Sequence, residues 1–322
     1  MKETSFIRQN LEKWKSLESV VEKASKHDPG RLADAYIEIT TDLSFSRSRY
    51  PHSRITLYLN KLASALHNSL YKNKKESRNR VLNFWKTEIP AVMYASRKEL
   101  FYSFLIFMVS VVIGCISTLN DSMFPRLILS NGYIDMTIQN IESGNPMGVY
   151  ASTAQVPMFL WILQNNVRVA FVVFVFGLLT GFGTGFALVS NGIMVGTFQT
   201  FFIQQNLGIE SMMAIWLHGT LEISAIIVAG AAGLALGNGW LFPKTFSRGY
   251  AFRQGALRGL KIVIGTVPIF LFAAFIEGFL TRYTSMHNIL RGGFILLSLA
   301  FVIFYYIYLP KQLKYGKSNI KN

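Results

Sequence analysis

His218 and Glu222 stand four positions apart in an otherwise apolar run. On a helix that spacing puts both side chains on one face. An imidazole and a carboxylate then share a surface where charge is costly, roughly 2.5 to 3.5 kcal/mol at the centre of a membrane helix. Glu277, within Ala274-Phe275-Ile276-Glu277-Gly278-Phe279, and Arg168 are further ionisable residues in long apolar surroundings. His218 lies about two turns into its span, Glu222 nearer the middle, and both are expected to reach Glu277. Three chemistries suit the cluster. A proton relay would use carboxylates that burial tunes. A metal site would need ligands beyond His-x3-Glu, so no metal is assigned. A substrate site would need a cavity between helices. A hydrogen-bonded network that only fixes helix register uses the same residue types.

Catalytic signatures are missing from the sequence. It has no Gly-x-Ser-x-Gly elbow, no His-Glu-x-x-His pair and no Gly-x-x-x-x-Gly-Lys run. The expectation is therefore a protein that is not an enzyme and uses no cofactor. Cys115, the single cysteine, excludes a disulfide framework and a cysteine-rich metal centre.

The elements that position these residues are read from composition. Of 322 residues, 51% are apolar and 15% charged, too apolar a balance for an ordinary soluble domain of this length. The first 99 residues hold 11 of the 17 acids and 19 of the 32 bases, and the remainder is mostly apolar. A boundary is placed near Arg97-Lys98, giving a helical region at 1–97 and a transmembrane domain at 98–322. Spans are expected near 100–118, 167–190, 193–206, 211–236, 259–280 and 293–309, by the roughly 20 residues a bilayer crossing takes. The short third span follows Ser190-Asn191-Gly192, a turn signal. Counting it as a crossing puts both termini and the loop before Lys261 on one side. Only Arg126, Arg168, Arg282 and Arg291 are left for the other. The positive-inside rule makes the basic side cytoplasmic and accounts for the net charge of +15 without nucleic acid.

Residues 119–166 form an external segment. Two interfacial helices are expected in it, one around Ile128 to Ile141 and one around Met158 to Leu163, with Trp161 as an anchor. Gly177, Gly181 and Gly185, Gly192 and Gly196, and Gly233 and Gly237 repeat every four residues and predict close helix packing, within one chain or between copies. Asn165, Asn166 and Asn191 are expected to cap helix ends.

In the first region, Ile7, Leu11, Trp14, Leu17 and Val21 follow a helical period. Asp28-Pro29 opens a second helix with Leu32, Ala35, Tyr36, Ile39 and Leu43, which Tyr50-Pro51 stops. A third carries Ile55, Leu59, Leu62, Leu66 and Leu70. A fourth carries Val81, Leu82, Trp85 and Ile89 before Pro90. The fold class is all-α: a small cytoplasmic helical bundle before a polytopic membrane helix bundle of about six spans.

The run from Asn165-Asn166 through Gly177, Gly181, Asn191-Gly192 and Gly196 to His218-Gly219-Thr220-Leu221-Glu222 and Gly230-Ala231-Ala232-Gly233 resembles the stage II sporulation protein M family of integral membrane proteins. Ala274 to Phe279 fits as well. Tyr58-Leu59-Asn60, His67, Tyr71, Phe84-Trp85 and Ile89-Pro90 resemble the soluble region of its longer, non-sporulating branch. The resemblance implies a multi-pass protein of the bacterial inner membrane that acts as a scaffold or recruiting component of an envelope complex. It implies an RDD-type membrane protein and a MoxR-type ATPase as partners, beside membrane lipid, and gives no catalytic role to His218, Glu222 or Glu277. The alternative expectation is a transporter or channel that uses those three residues.

Overall fold

The computed structural model describes residues 2–22, 29–71, 80–146, 154–243, 245–281 and 286–313. Among them every regular element is a helix, and the chain divides into two units, Met1–Arg80 and Val81–Asn322.

The first unit is built from α1 (Glu3–Glu22), α2 (Pro29–Arg49) and α3 (Arg54–Tyr71). Its core is Phe6, Trp14, Leu17 and Val20 from α1, Leu32, Ala35, Ile39 and Leu43 from α2, and Leu59, Leu62, Ala63 and Leu66 from α3. The α1 stripe runs through Phe6 and Val20, and Leu11 lies outside it at 40% exposure. Trp14 is fully buried, so its indole N–H needs a partner. It donates to Asp42 Oδ2 at 2.7 Å, and the Lys13 ammonium lies 2.5 Å from the same oxygen. Asp28 and the structure around Lys72 to Asn79 lie outside the described residues.

The unit boundary corrects the expectation of 97. The fourth helix belongs to the membrane unit as α4 (Arg80–Asn83), a π-helical turn at Phe84–Glu88, and α5 (Ile89–Ala95). Ile89 and Met93 are buried in the core of that unit. Ile89 packs over Gly265, the Trp85 carbonyl accepts from Tyr305 at 2.7 Å, and Glu88 pairs with Lys261 at 2.9 Å. Composition tracks charge, whereas the boundary follows burial. Hiding Ile89 stabilises by about 1.5–3 kcal/mol, despite the polar residues around it.

Among the described residues, five helical stretches of the second unit are long and apolar enough to cross a membrane. They are α6 (Arg97–Asn120), the double-length stretch Gln155–Gln204, α11 (Gly208–Leu241), α12 (Arg248–Phe275, continued by a π-helical turn at Ile276–Leu280), and α13 (Asn288–Ile303), which runs on to Leu313. Between the first two lie α7 (Phe124–Leu129) and α8 (Asn131–Glu142). The double-length stretch is two helices, α9 (Gln155–Val175) and α10 (Thr180–Gln204), joined by a tight turn at Phe176–Leu179.

Neighbouring residues give the direction of each helix. On α9 and α11, Asn166 meets Glu222 and Gly177 meets Gly233, so the two run parallel. On α10 and α11, Gly181 meets Gly237, Thr184 meets Gly233 and Gln199 meets Ser211, so these run antiparallel. The chain therefore reverses between α9 and α10. Thr180 makes the reversal at φ 64° and ψ −166°, a region rarely open to a β-branched residue. Gly192 on Phe107 and Gly196 on Val111 set α6 parallel to α10. Gly255 on Ala235 and Gly259 on Ala232 set α12 antiparallel to α11. Leu221 shares a pocket with Phe294 and Leu297, Ile227 shares another with Val302 and Ile303, and Tyr305 reaches Trp85 just ahead of α6, so α13 runs parallel to α11. The six helices alternate in direction, and the chain enters α6 and leaves α13 at the same end.

This corrects the expected spans at 167–190 and 193–206. Ser190-Asn191-Gly192 lies inside α10, where Gly192 is needed because the α6 backbone passes against it. The actual turn carries no turn chemistry beyond Gly177. The expected interfacial helix at Met158 to Leu163 is likewise the start of α9, with Ile162 buried. The single helix expected around Ile128 to Ile141 is broken at Ser130 into the end of α7 and α8, whose Ile134 packs on Phe201 and Phe202 at the end of α10.

The centre of the bundle is α11, whose neighbours are α6, α9, α10, α12 and α13. Its run from Ala225 to Gly237 is almost wholly buried. Small side chains there let neighbouring backbones come close, the packing that serves where the hydrophobic effect between helices is absent. Gly177, Gly192, Gly196, Gly233 and Gly237 each face a neighbouring backbone closely. Gly181 receives Gly237. Gly185 has nothing within 4 Å of where a methyl would stand and is not part of the ridge.

Candidate functional site

His218 and Glu222 lie on one face of α11, as their spacing requires. Glu222 is about 21 Å along that helix from Gly208 at 1.5 Å per residue. Glu277 comes from the π-helical turn that ends α12, where the Thr281 N–H reaches back five residues to the Ile276 carbonyl at 3.0 Å. Such a turn inserts a residue into the helix and is frequent at functional sites. One ligand atom from each of His218, Glu222 and Glu277 lies within 4.8 Å of the others. His218 Nε2 is 3.7 Å from Glu277 Oε1, and the Glu222 and Glu277 carboxyls face each other within the cluster. The expected meeting of the three is thus observed.

Two polar side chains hold the cluster in place. Asn166 Nδ2 donates to Glu222 Oε1 at 2.5 Å. Thr281 Oγ1 lies 3.3 Å from His218 Nδ1 and donates to the Ile276 carbonyl, also at 3.3 Å. Two carboxyls this close need a proton or a cation between them.

A cavity of about 500 Å³ opens beside the cluster. Asn165, Asn166, Asn191, Gln199, His218 and Glu222 supply its polar lining, and Ile128, Leu129 and Tyr133 of α7 and α8 stand at its upper end. Gln199 is fixed twice, accepting from the Trp216 indole at 3.0 Å and donating to Ser211 at 3.0 Å. Burial pushes the Tyr133 hydroxyl above its ordinary range, so the rim stays uncharged.

The asparagines expected as caps are corrected by this arrangement. Asn165 and Asn166 lie in the middle of α9 and Asn191 in the middle of α10, where its amide donates to the Ala187 carbonyl at 2.8 Å. Gln199, Trp216 and Thr281 were not anticipated. The available signal was helical spacing: Asn191, Val195 and Gln199 fall four apart on one face of α10. Arg168, one turn from Asn165, is exposed and has no hydrogen-bond or ion-pair partner among the described residues.

A second cavity, about 900 Å³, lies at the other end of the unit. It is lined by Arg97, Lys98, Glu99, Asn238, Arg258 and Lys261, among others. Glu99 accepts from Asn238 at 3.3 Å and from Arg258 at 3.4 Å. The packed seam of α11 from Ala225 to Gly237 separates the two cavities.

Residues 103–282 match the family model described as Stage II sporulation protein M, over more than half of the chain. The chain belongs to that family. The stage II sporulation protein M region runs from within α6 to past the end of α12 and takes in the whole polar cavity, His218, Glu222 and Glu277. Residues 4–72 match a second model, Domain of unknown function (DUF8413), which coincides with α1 to α3. No curated protein and no solved structure matches the chain.

Proposed function

We propose that the membrane unit admits a small polar or cationic solute to the cavity between α9, α10 and α11 and passes it across the membrane. The observation that carries this reading is the cavity itself. Three asparagines and a glutamate line it at mid-helix depth, where polar side chains are costly and mark pathways, with Gln199 nearer the end of α10. The basic cavity beyond the Ala225–Gly237 seam supports passage that alternates between the two ends. The end bearing Arg97, Lys98, Arg248, Arg253, Arg258 and Lys261 faces the cytoplasm by the positive-inside rule, as do both termini, in a bacterial inner membrane. The reading is non-enzymatic, since no activated nucleophile accompanies His218 and Glu222.

The test is flux in vesicles reconstituted with the full chain, using a panel of monovalent and divalent cations and small zwitterions. Glu222→Gln abolishes flux while the yield of folded, monodisperse protein is kept. Loss of flux and folded protein in equal measure would reduce the cluster to a network that fixes helix register.

A second reading, a scaffold that recruits envelope partners, is favoured by the first unit. Residues 1–80 have their own core and their own family match. By family resemblance the partners are an RDD-type membrane protein and a MoxR-type ATPase. Deleting residues 1–80, a cut that spares the buried Ile89 and Met93, changes the set of proteins cross-linked in cells. An unchanged set counts against recruitment.

A further inference from the structure

We infer that His218, Glu222 and Glu277 bind one divalent transition-metal ion, through Nε2 of the histidine and one oxygen from each carboxylate. This names an ion class for the cavity of the proposed function and rests on that reading for the route by which the ion arrives.

The histidine is oriented as a ligand. With its hydroxyl proton on the Ile276 carbonyl, Thr281 Oγ1 meets His218 Nδ1 as an acceptor, and in that arrangement the ring proton sits on Nδ1. Nε2 then presents a lone pair toward Glu277 Oε1 at 3.7 Å. Two acceptors that face each other at this distance repel unless something positive lies between them. The separation suits a shared metal: ligands held at about 2.1 Å with an angle near 120° lie about 3.6 Å apart. The limit of 4.8 Å on all three pairs is somewhat wide for a closed site and calls for a small inward movement of one carboxylate.

Charge leads to the same ion. Two carboxylates and a neutral imidazole carry two negative charges, which a divalent cation cancels inside the bundle. One nitrogen and two carboxylate oxygens suit zinc, manganese or iron(II) better than the all-oxygen calcium or magnesium. Asn166 on Glu222 and Thr281 on His218 are the outer hydrogen bonds that metal-binding side chains use to hold their direction. The π-helical turn brings Glu277 and Thr281 to α11 together, and the cavity reaches His218 and Glu222 from the α7–α8 end. Three protein ligands leave a coordination position for water or for a second solute in the cavity.

Equilibrium binding in detergent tests the site apart from flux, so the site and the transport reading can fail separately. The full chain is stripped with chelator, dialysed against Zn²⁺ or Mn²⁺, and its metal content counted by mass spectrometry. Co²⁺ loading is followed by visible absorption, which reports coordination by the imidazole. One ion per chain is expected, with affinity weakened more than about 10-fold in Glu277→Gln and the Co²⁺ spectrum lost in His218→Gln. Thr281→Val, which keeps all three ligands, should weaken binding about 10-fold at unchanged stoichiometry. Gly185→Ala, where a methyl meets nothing within 4 Å, leaves binding unchanged. Substoichiometric metal in the wild-type chain overturns the inference even if a variant fails to fold, and so does equal metal in the wild type and folded Glu277→Gln.

Discussion

Asn166 decides how Glu222 can exist in the middle of the bundle. Its amide donates to that carboxyl at 2.5 Å, and it comes from a different helix. Replacing it with leucine removes the donor and leaves the acid in place, which costs about 1–3 kcal/mol for a buried group left unsatisfied. Asn166→Leu should therefore lower the melting temperature in detergent well below that of Asn165→Leu, whose side chain is exposed. Equal melting of the two would remove Asn166 from the network. His218, Glu222 and Glu277 were legible in the sequence because ionisable residues in apolar runs are conspicuous. The amides were misread for a local reason. Asparagine beside glycine signals a helix end, and nothing within a few residues reveals that the helix continues past Asn191 or that Asn166 has a carboxylate 56 positions away.

Among the elements, the glycines separate true ridges from mere spacing. A methyl on Gly177 would run into the Gly233 carbonyl, and α9 would have to move off α11. Overpacking of this kind costs typically about 1–3 kcal/mol. A methyl on Gly185 would meet nothing within 4 Å and gains the helix preference of alanine, up to about 1 kcal/mol. Gly177→Ala should thus melt lower than the wild type and Gly185→Ala no lower, by thermal size-exclusion assay. A fall in both would void the distinction. Periodicity found the helices of the first unit and the crossing segments of α6, α11, α12 and α13. It failed at the α9–α10 reversal, because both sides of that turn are equally apolar and the turn is made by Thr180 in an unusual conformation. The same blindness to burial put the unit boundary at 97, where charge stops, instead of at 80, where packing begins.

For the molecule as a whole, the alternation of six helices has a simple consequence for accessibility. The loop after α10 and the end of α11 lie at opposite ends of the membrane unit. In a Cys115→Ser background, single cysteines at Asn206 and Phe242, both exposed, should react with impermeant reagents from opposite sides of sealed vesicles. Labelling from one side would sink the alternating arrangement and, with it, two cavities at opposite ends.

The tight turn between α9 and α10 also bears on biosynthesis. Gln155–Gln204 offers an insertion machinery 50 residues with no polar loop at the fold-back. The two helices have nothing hydrophilic at their shared end to be held on one side, so charge near the turn cannot orient them. Their direction must come from what is made before and after: Arg97 and Lys98 ahead of α6, and Arg248 and Arg253 at the start of α12. A ribosome that has released α9 and α10 but not yet α12 therefore holds a hairpin oriented by Arg97 and Lys98 alone, and the cations that open α12 are the second signal to fix it.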